Sequence, residues 1–106
     1  MRQGEIATKF LNGMMDTLLL QMLNDEPMHG YELRKKIRKE YGVYFGISTV
    51  YRLLYDFEAS GLIKGEWTNE KKRPRKIYSL TASGQKRLDF NEASLRMLCQ
   101  HAELVR

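Results

Sequence analysis

A chain of 106 residues suffices for one domain, since two separate cores of this size would each bury little apolar surface. Hydrophobic residues make up 42% and charged residues 29%, a globular balance that excludes a disordered or fibrous chain. The net charge of +5, from 18 basic and 13 acidic residues, points to a polyanionic partner such as nucleic acid or an acidic membrane surface.

The opening segment MRQGEIATKFLNG lacks the apolar run of a signal peptide. The densest apolar stretch, Leu18 to Leu20 with Met22 and Leu23, is far shorter than a membrane span. A cytoplasmic protein without a membrane partner is expected. The first helix is predicted to run to about Asn24. Phe10, Leu11, Met14, Met15, Leu18, Leu19, Met22 and Leu23 recur there at steps of three and four. Leu20 widens the stripe further, so this helix is expected to touch a partner helix as well as its own core. Asn24, Asp25, Glu26 and Pro27 end it, because the residue before a proline avoids helical geometry.

Gly30 to Tyr41 reads as a second helix, with Leu33, Ile37 and Tyr41 inward and Lys35, Lys36 and Lys39 outward. Gly42 is placed to stop it, and lone His29 reads as a helix-start residue rather than a ligand or base. The third helix spans Ser48 to Ser60, with Ser48 as N-cap and Gly61 as the left-handed stop. Val50, Leu53, Leu54 and Phe57 follow the core-facing spacing. At 100° per residue the opposite face then carries Ser48, Arg52 and Tyr55, flanked by Thr49 and Tyr51, with Asp56 a turn further on. These groups suit a major groove: arginine donates two bonds to guanine, hydroxyls reach bases or phosphates, and the threonine methyl suits thymine. For Ser48, capping outweighs base contact, and the two roles are compatible.

Leu62 to Thr68 and Lys76 to Leu80 read as two short strands around the basic turn Asn69 to Arg75. Lys71, Lys72, Arg73, Arg75 and Lys76 place five positive charges in six positions. Such a run is often a solvated turn, but here it falls where a hairpin tip would meet a phosphate backbone or minor groove. Arg34, Lys35, Lys36, Arg38 and Lys39 form a weaker basic patch.

From Thr81, a candidate cap, the pattern is helical to the end. Leu88, Asn91, Leu95, Leu98, Ala102 and Val105 form a heptad seam, and Phe90, Met97 and Leu104 a second line spaced by seven. A trailing helix with no core of its own to fill is expected to pair with a second copy. Met14, Leu18, Leu88, Leu95, Leu98 and Ala102 are the expected dimerisation residues. The sole cysteine, Cys99, excludes an intrachain disulfide; it reads as a small buried hydrophobe, with a disulfide across a dimer axis as the alternative. No glycine-rich phosphate loop and no spaced cluster of metal ligands is present, so neither a cofactor, a metal nor an enzymatic activity is expected.

The order helix, helix, helix, hairpin, helix is that of a mostly α, α+β winged helix-turn-helix with an added C-terminal helix. The expected division is residues 1–80 as the winged helix head and 81–106 as the dimerisation helix.

Three blocks resemble the PadR family of bacterial and archaeal transcriptional regulators. They are LLLQMLNDEPMHGYELRKKI (Leu18 to Ile37), with its PMHGYEL core, STVYRLLYDFEASGLIKGEW (Ser48 to Trp67) and RKIYSLTASGQKRL (Arg75 to Leu88). The second carries the family's Thr49-x-Tyr51, Leu54, Glu58 and Gly61-Leu62-Ile63 exit, although Ile47 and Ser48 stand where the family often has proline or glycine. The resemblance implies a winged helix dimer that binds double-stranded DNA, usually as a repressor, and the single last helix is similar to the compact subgroup. In some members the dimer interface holds a small apolar or aromatic ligand; Phe10, Met14, Met15, Phe90 and Met97 are the candidates here, though such residues at helical spacing are more often plain core. The expected function is a sequence-specific regulator acting as a homodimer on a palindromic operator. The rival reading is a winged helix that docks an acidic protein, ranked second because this wing is basic and complete. A ligand-sensing dimer needing another subunit for firm DNA contact comes third.

Overall fold

The computed structural model describes residues 3–42, 46–69 and 74–104, with side chains over 13–42, 46–69 and 74–100. In chain order the elements are α1 (Gln3–Asp25), β1 (Met28–His29), α2 (Gly30–Tyr41), α3 (Ile47–Ala59), β2 (Ile63–Thr68), β3 (Arg75–Leu80) and α4 (Ala82–Leu104). This is a mostly helical α+β fold with a small antiparallel sheet in the order β1-β3-β2. The hairpin pairs Ile63 with Leu80, Gly65 with Tyr78 and Trp67 with Lys76.

Strand β1 is an addition to the expected elements. It pairs Met28 with Tyr78 and His29 with Ile77. Two residues are too few to show a period of two, so the sequence around Pro27 reads as a plain connection.

A single core holds the elements together. Leu19, Leu20, Met22 and Leu23 of α1 meet Leu33 and Ile37 of α2, and Val50, Leu54 and Phe57 of α3. Leu62, Ile63 and Tyr78 close it from the sheet and Leu88 from α4, while Leu53 is only partly buried against it. The last part of the α1 stripe, Leu19, Leu20, Met22 and Leu23, is spent on this core, where α1 packs against α4 and β3, while Met14 stays exposed.

The helix ends follow local chemistry. Gly42 takes φ 66° and its N–H donates to the Arg38 carbonyl, closing α2. At the end of α3, Gly61 takes φ 77°. Its N–H reaches the Glu58 carbonyl at 3.1 Å while Leu62 N–H reaches that of Phe57 at 2.9 Å. This is a Schellman closure, and the buried Leu62–Phe57 end makes the accompanying apolar contact. Thr81 caps α4 as expected: its hydroxyl accepts from Gly84 N–H at 3.0 Å and donates to the Gly61 carbonyl at 2.6 Å.

Several expectations are corrected, among them the inward place of Tyr41, which is exposed. Helix α3 starts one residue early, so Gly46 and not Ser48 is the N-cap, its carbonyl accepting from Thr49 N–H at 3.1 Å. Ser48 is left exposed in the first turn. The first part of the α4 seam also faces inward. Leu88 is 1% exposed in the domain's own core, and Asn91 donates to the Thr17 hydroxyl of α1 at 3.1 Å. Gln21 of α1 donates to Glu92 at 3.1 Å beside it. Because α4 folds back along α1, the start of its apolar line is spent within the chain.

Candidate nucleic-acid interface

The inward face of α3 is fully committed to the core, which fixes what it shows to solvent. Ser48, Arg52 and Tyr55 are exposed, with Tyr55 at 72%, and Thr49 is half-buried beside them. Tyr51 is also exposed, but its ring leans on the start of α2, against Gly30. Asp56 lies exposed one turn further along. Ser48, Arg52 and Tyr55 therefore share one solvent-exposed side of α3.

Beside this row the wing stands on its two strands. Arg75, expected at the hairpin tip, is the exposed first residue of β3, where its carbonyl accepts from the Thr68 hydroxyl at 3.1 Å. Lys71, Lys72 and Arg73 lie outside the described residues. A cleft of about 690 Å³ separates wing and helices, lined by His29, Tyr31, Tyr51, Trp67, Arg75 and Tyr78 among others. Trp67 is 68% exposed at its edge. Neither Trp67 nor Tyr31 was singled out from the sequence as a site residue. The alternation of β2, with Ile63, Gly65 and Trp67 on one face, is the signal that would have placed Trp67 beside α3.

His29 anchors the cleft's floor as a helix-start residue. Its backbone N–H donates to Glu32 Oε1 at 3.2 Å, and its ring Nδ1 lies 3.4 Å from the Lys76 carbonyl. Burial pushes the Tyr78 phenol above its ordinary value. On the wing, the hydrogen bond to Glu66 raises the Lys64 ammonium, and that to Glu58 raises Lys76. Both ammonium groups therefore stay charged at neutral pH. Lys35, Lys36 and Lys39 line a shallower hollow on the outer side of α2, with Lys36 3.9 Å from Glu40.

Away from this face, α1 and α4 leave an apolar strip. Met14, Met97, Leu98 and Phe90 are exposed, Phe90 at 69%. Leu18 and Leu95 are half-buried, and Cys99 is exposed rather than buried. Met15 is core. The side chains of Phe10, Ala102, Leu104 and Val105 lie outside the described residues. Among the described residues no cluster of metal-ligating side chains gathers, and no helix is long and apolar enough to cross a membrane.

The profile described as the transcriptional regulator PadR-like family matches residues 19–89. This chain belongs to the PadR-like family. The PadR-like regulator superposes on a PadR-like transcription factor from Bacteroides fragilis with TM-score 0.85 and 26% identity, covering 96% of this chain and 99% of that one. A PadR family regulator from Eggerthella lenta matches at TM-score 0.82 and 30% identity, over 96% of this chain and 89% of that one. Bacillus subtilis PadR, solved in complex with operator DNA, shares the fold at TM-score 0.66 and 24% identity, over 71% of this chain and 44% of its own. No curated protein matches the chain. The fold is thus the winged helix DNA-binding fold of PadR-like regulators.

Proposed function

We propose that this PadR-like regulator is a cytoplasmic, sequence-specific repressor that binds a palindromic operator as a homodimer. The observation that carries the reading is the row Ser48, Arg52 and Tyr55, exposed along a helix whose other side is locked in the core and which stands beside a basic wing. Two such helices in one dimer would enter successive major grooves, with half-sites about 34–36 Å apart. Arg52, Thr49 and Tyr51 read or position the site. Lys71, Lys72, Arg73 and Arg75 supply sequence-independent affinity through phosphates. Residues 1–80 act as the head and 81–106 as the dimerisation helix. The exposed strip of Met14, Phe90, Met97 and Leu98 supports pairing of α4 and α1 with a second copy. An apolar ligand held at that strip would release the operator.

Selection from a pool of random duplexes tests the reading. The expected product is an inverted repeat with half-site centres about one helical turn apart. A pool that gains no consensus while still binding the protein would contradict it.

A further inference from the structure

Lys76 belongs to the basic run of the wing, and its ammonium is engaged within the domain. It lies 2.8 Å from Oε1 of Glu58, in the last turn of α3. The side chains of Lys76 and Glu58 are 27% and 32% exposed. The ammonium also sits between two rings, 5.7 Å from the Trp67 centroid and 5.6 Å from that of Tyr78. Gly65 makes room for this arrangement. A Cβ at position 65 would collide with Lys76 Cε and lie 2.9 Å from Glu58 Oε2. One ion pair therefore joins α3 to β3, passing over the bare backbone of β2 at Gly65.

We propose that the Glu58–Lys76 pair fixes the angle between α3 and the wing and so sets operator discrimination, with Lys76 a positioning residue rather than a phosphate contact. The proposal rests on the DNA-binding reading above. A specific complex needs the helix and the wing to reach their contacts together, so it is sensitive to their relative angle. Non-specific binding follows the phosphate charge and tolerates a looser geometry.

The sign of one substitution separates the two roles. Glu58→Gln removes a negative charge, so by electrostatics alone it strengthens binding to any duplex. With the pair acting as a brace, it weakens operator binding instead. Glu58→Gln and Lys76→Gln are each expected to lower operator affinity by about fivefold while scrambled duplex is bound within about twofold of the parent, with the salt slope unchanged. The swapped pair Glu58→Lys with Lys76→Glu should recover discrimination. Trp67, the sole tryptophan, gives a reading without DNA: loss of the Glu58–Lys76 pair should shift its emission in both single variants. Equal thermal midpoints for parent and variants show that folding is intact.

Lys76→Gln weakening both duplexes alike and lowering the salt slope by about one unit would overturn the proposal in favour of phosphate contact. Stronger operator binding by Glu58→Gln would overturn it as well. A parent chain that fails to discriminate operator from scrambled duplex overturns the DNA reading and this proposal with it. A parent that discriminates, alongside variants that discriminate equally well, removes only the brace.

Discussion

The ring of Tyr51 occupies the space that a side chain at position 30 would need: a Cβ on Gly30 would lie 2.6 Å from Tyr51 Cε1. Helix α3 and the start of α2 therefore meet through a bare glycine and an aromatic ring. Gly30→Ala is expected to push that ring outward and cost about 1 kcal/mol of stability, as overpacking does. Adding Tyr51→Ala removes the clashing ring, so the double variant should be more stable than the sum of the two single losses. Equilibrium urea unfolding at fixed protein concentration reads this, and strict additivity would show that ring and glycine do not meet.

Arg52 is exposed between Ser48 and Tyr55 on the solvent side of α3 and is not part of the core cluster. Arg52→Ala should leave stability within about 0.5 kcal/mol. The same change should cost about 1–3 kcal/mol in operator binding and relax preference at one base position. Binding to base-substituted duplexes checks it; an unchanged preference at every position would remove Arg52 from the reading set.

Helix α4 carries a buried apolar residue, Leu88, and exposed ones, Phe90, Met97 and Leu98. Leu88→Ala removes a fully buried side chain and should cost about 2–5 kcal/mol. Phe90→Glu alters an exposed position, so the fold should persist while the proposed homodimer dissociates. Sedimentation velocity with circular dichroism separates these outcomes. A Phe90→Glu chain that stays dimeric would move the interface off the outer face of α4.

Asp16 of α1 has a buried Oδ1 with no hydrogen-bond partner, and burial raises its carboxyl pKa despite the attraction of Arg87. A raised native pKa means that the folded state takes up the proton first as pH falls. The stabilising protonation is complete below the ordinary value of 3.8 and is lost as pH rises through the raised native value. Asp16→Asn should therefore gain on the parent in denaturation midpoint between pH 4 and pH 7. A gap that does not change with pH would mean that Asp16 titrates alike in both states.

Most of the fold was legible because its signals are local. The spacing of Val50, Leu54 and Phe57 fixed which side of α3 is buried, and hence which side shows Arg52 and Tyr55. Gly42, Gly61 and Thr81 end and begin helices by chemistry confined to a few residues. The failures share a different cause. The period of Leu88 and Asn91 identifies an apolar line but does not say whether α1 or another copy covers it. A run of positive charge gives no direction to each side chain, so Lys76 reads as one more wing cation until Glu58 and Gly65 are brought beside it. Ser48 has capping chemistry, yet the N-cap lies two residues earlier, at Gly46.

Fluorescence anisotropy on DNA from upstream of the protein's own gene, with a scrambled duplex as control and two salt concentrations, tests the central claim most directly. A sequence-specific regulator keeps its preference for the upstream DNA at the higher salt, while the scrambled duplex falls away as its phosphate contacts are screened. Absence of binding to either duplex, even at low salt, would contradict the DNA reading and bring forward a winged helix that docks an acidic protein.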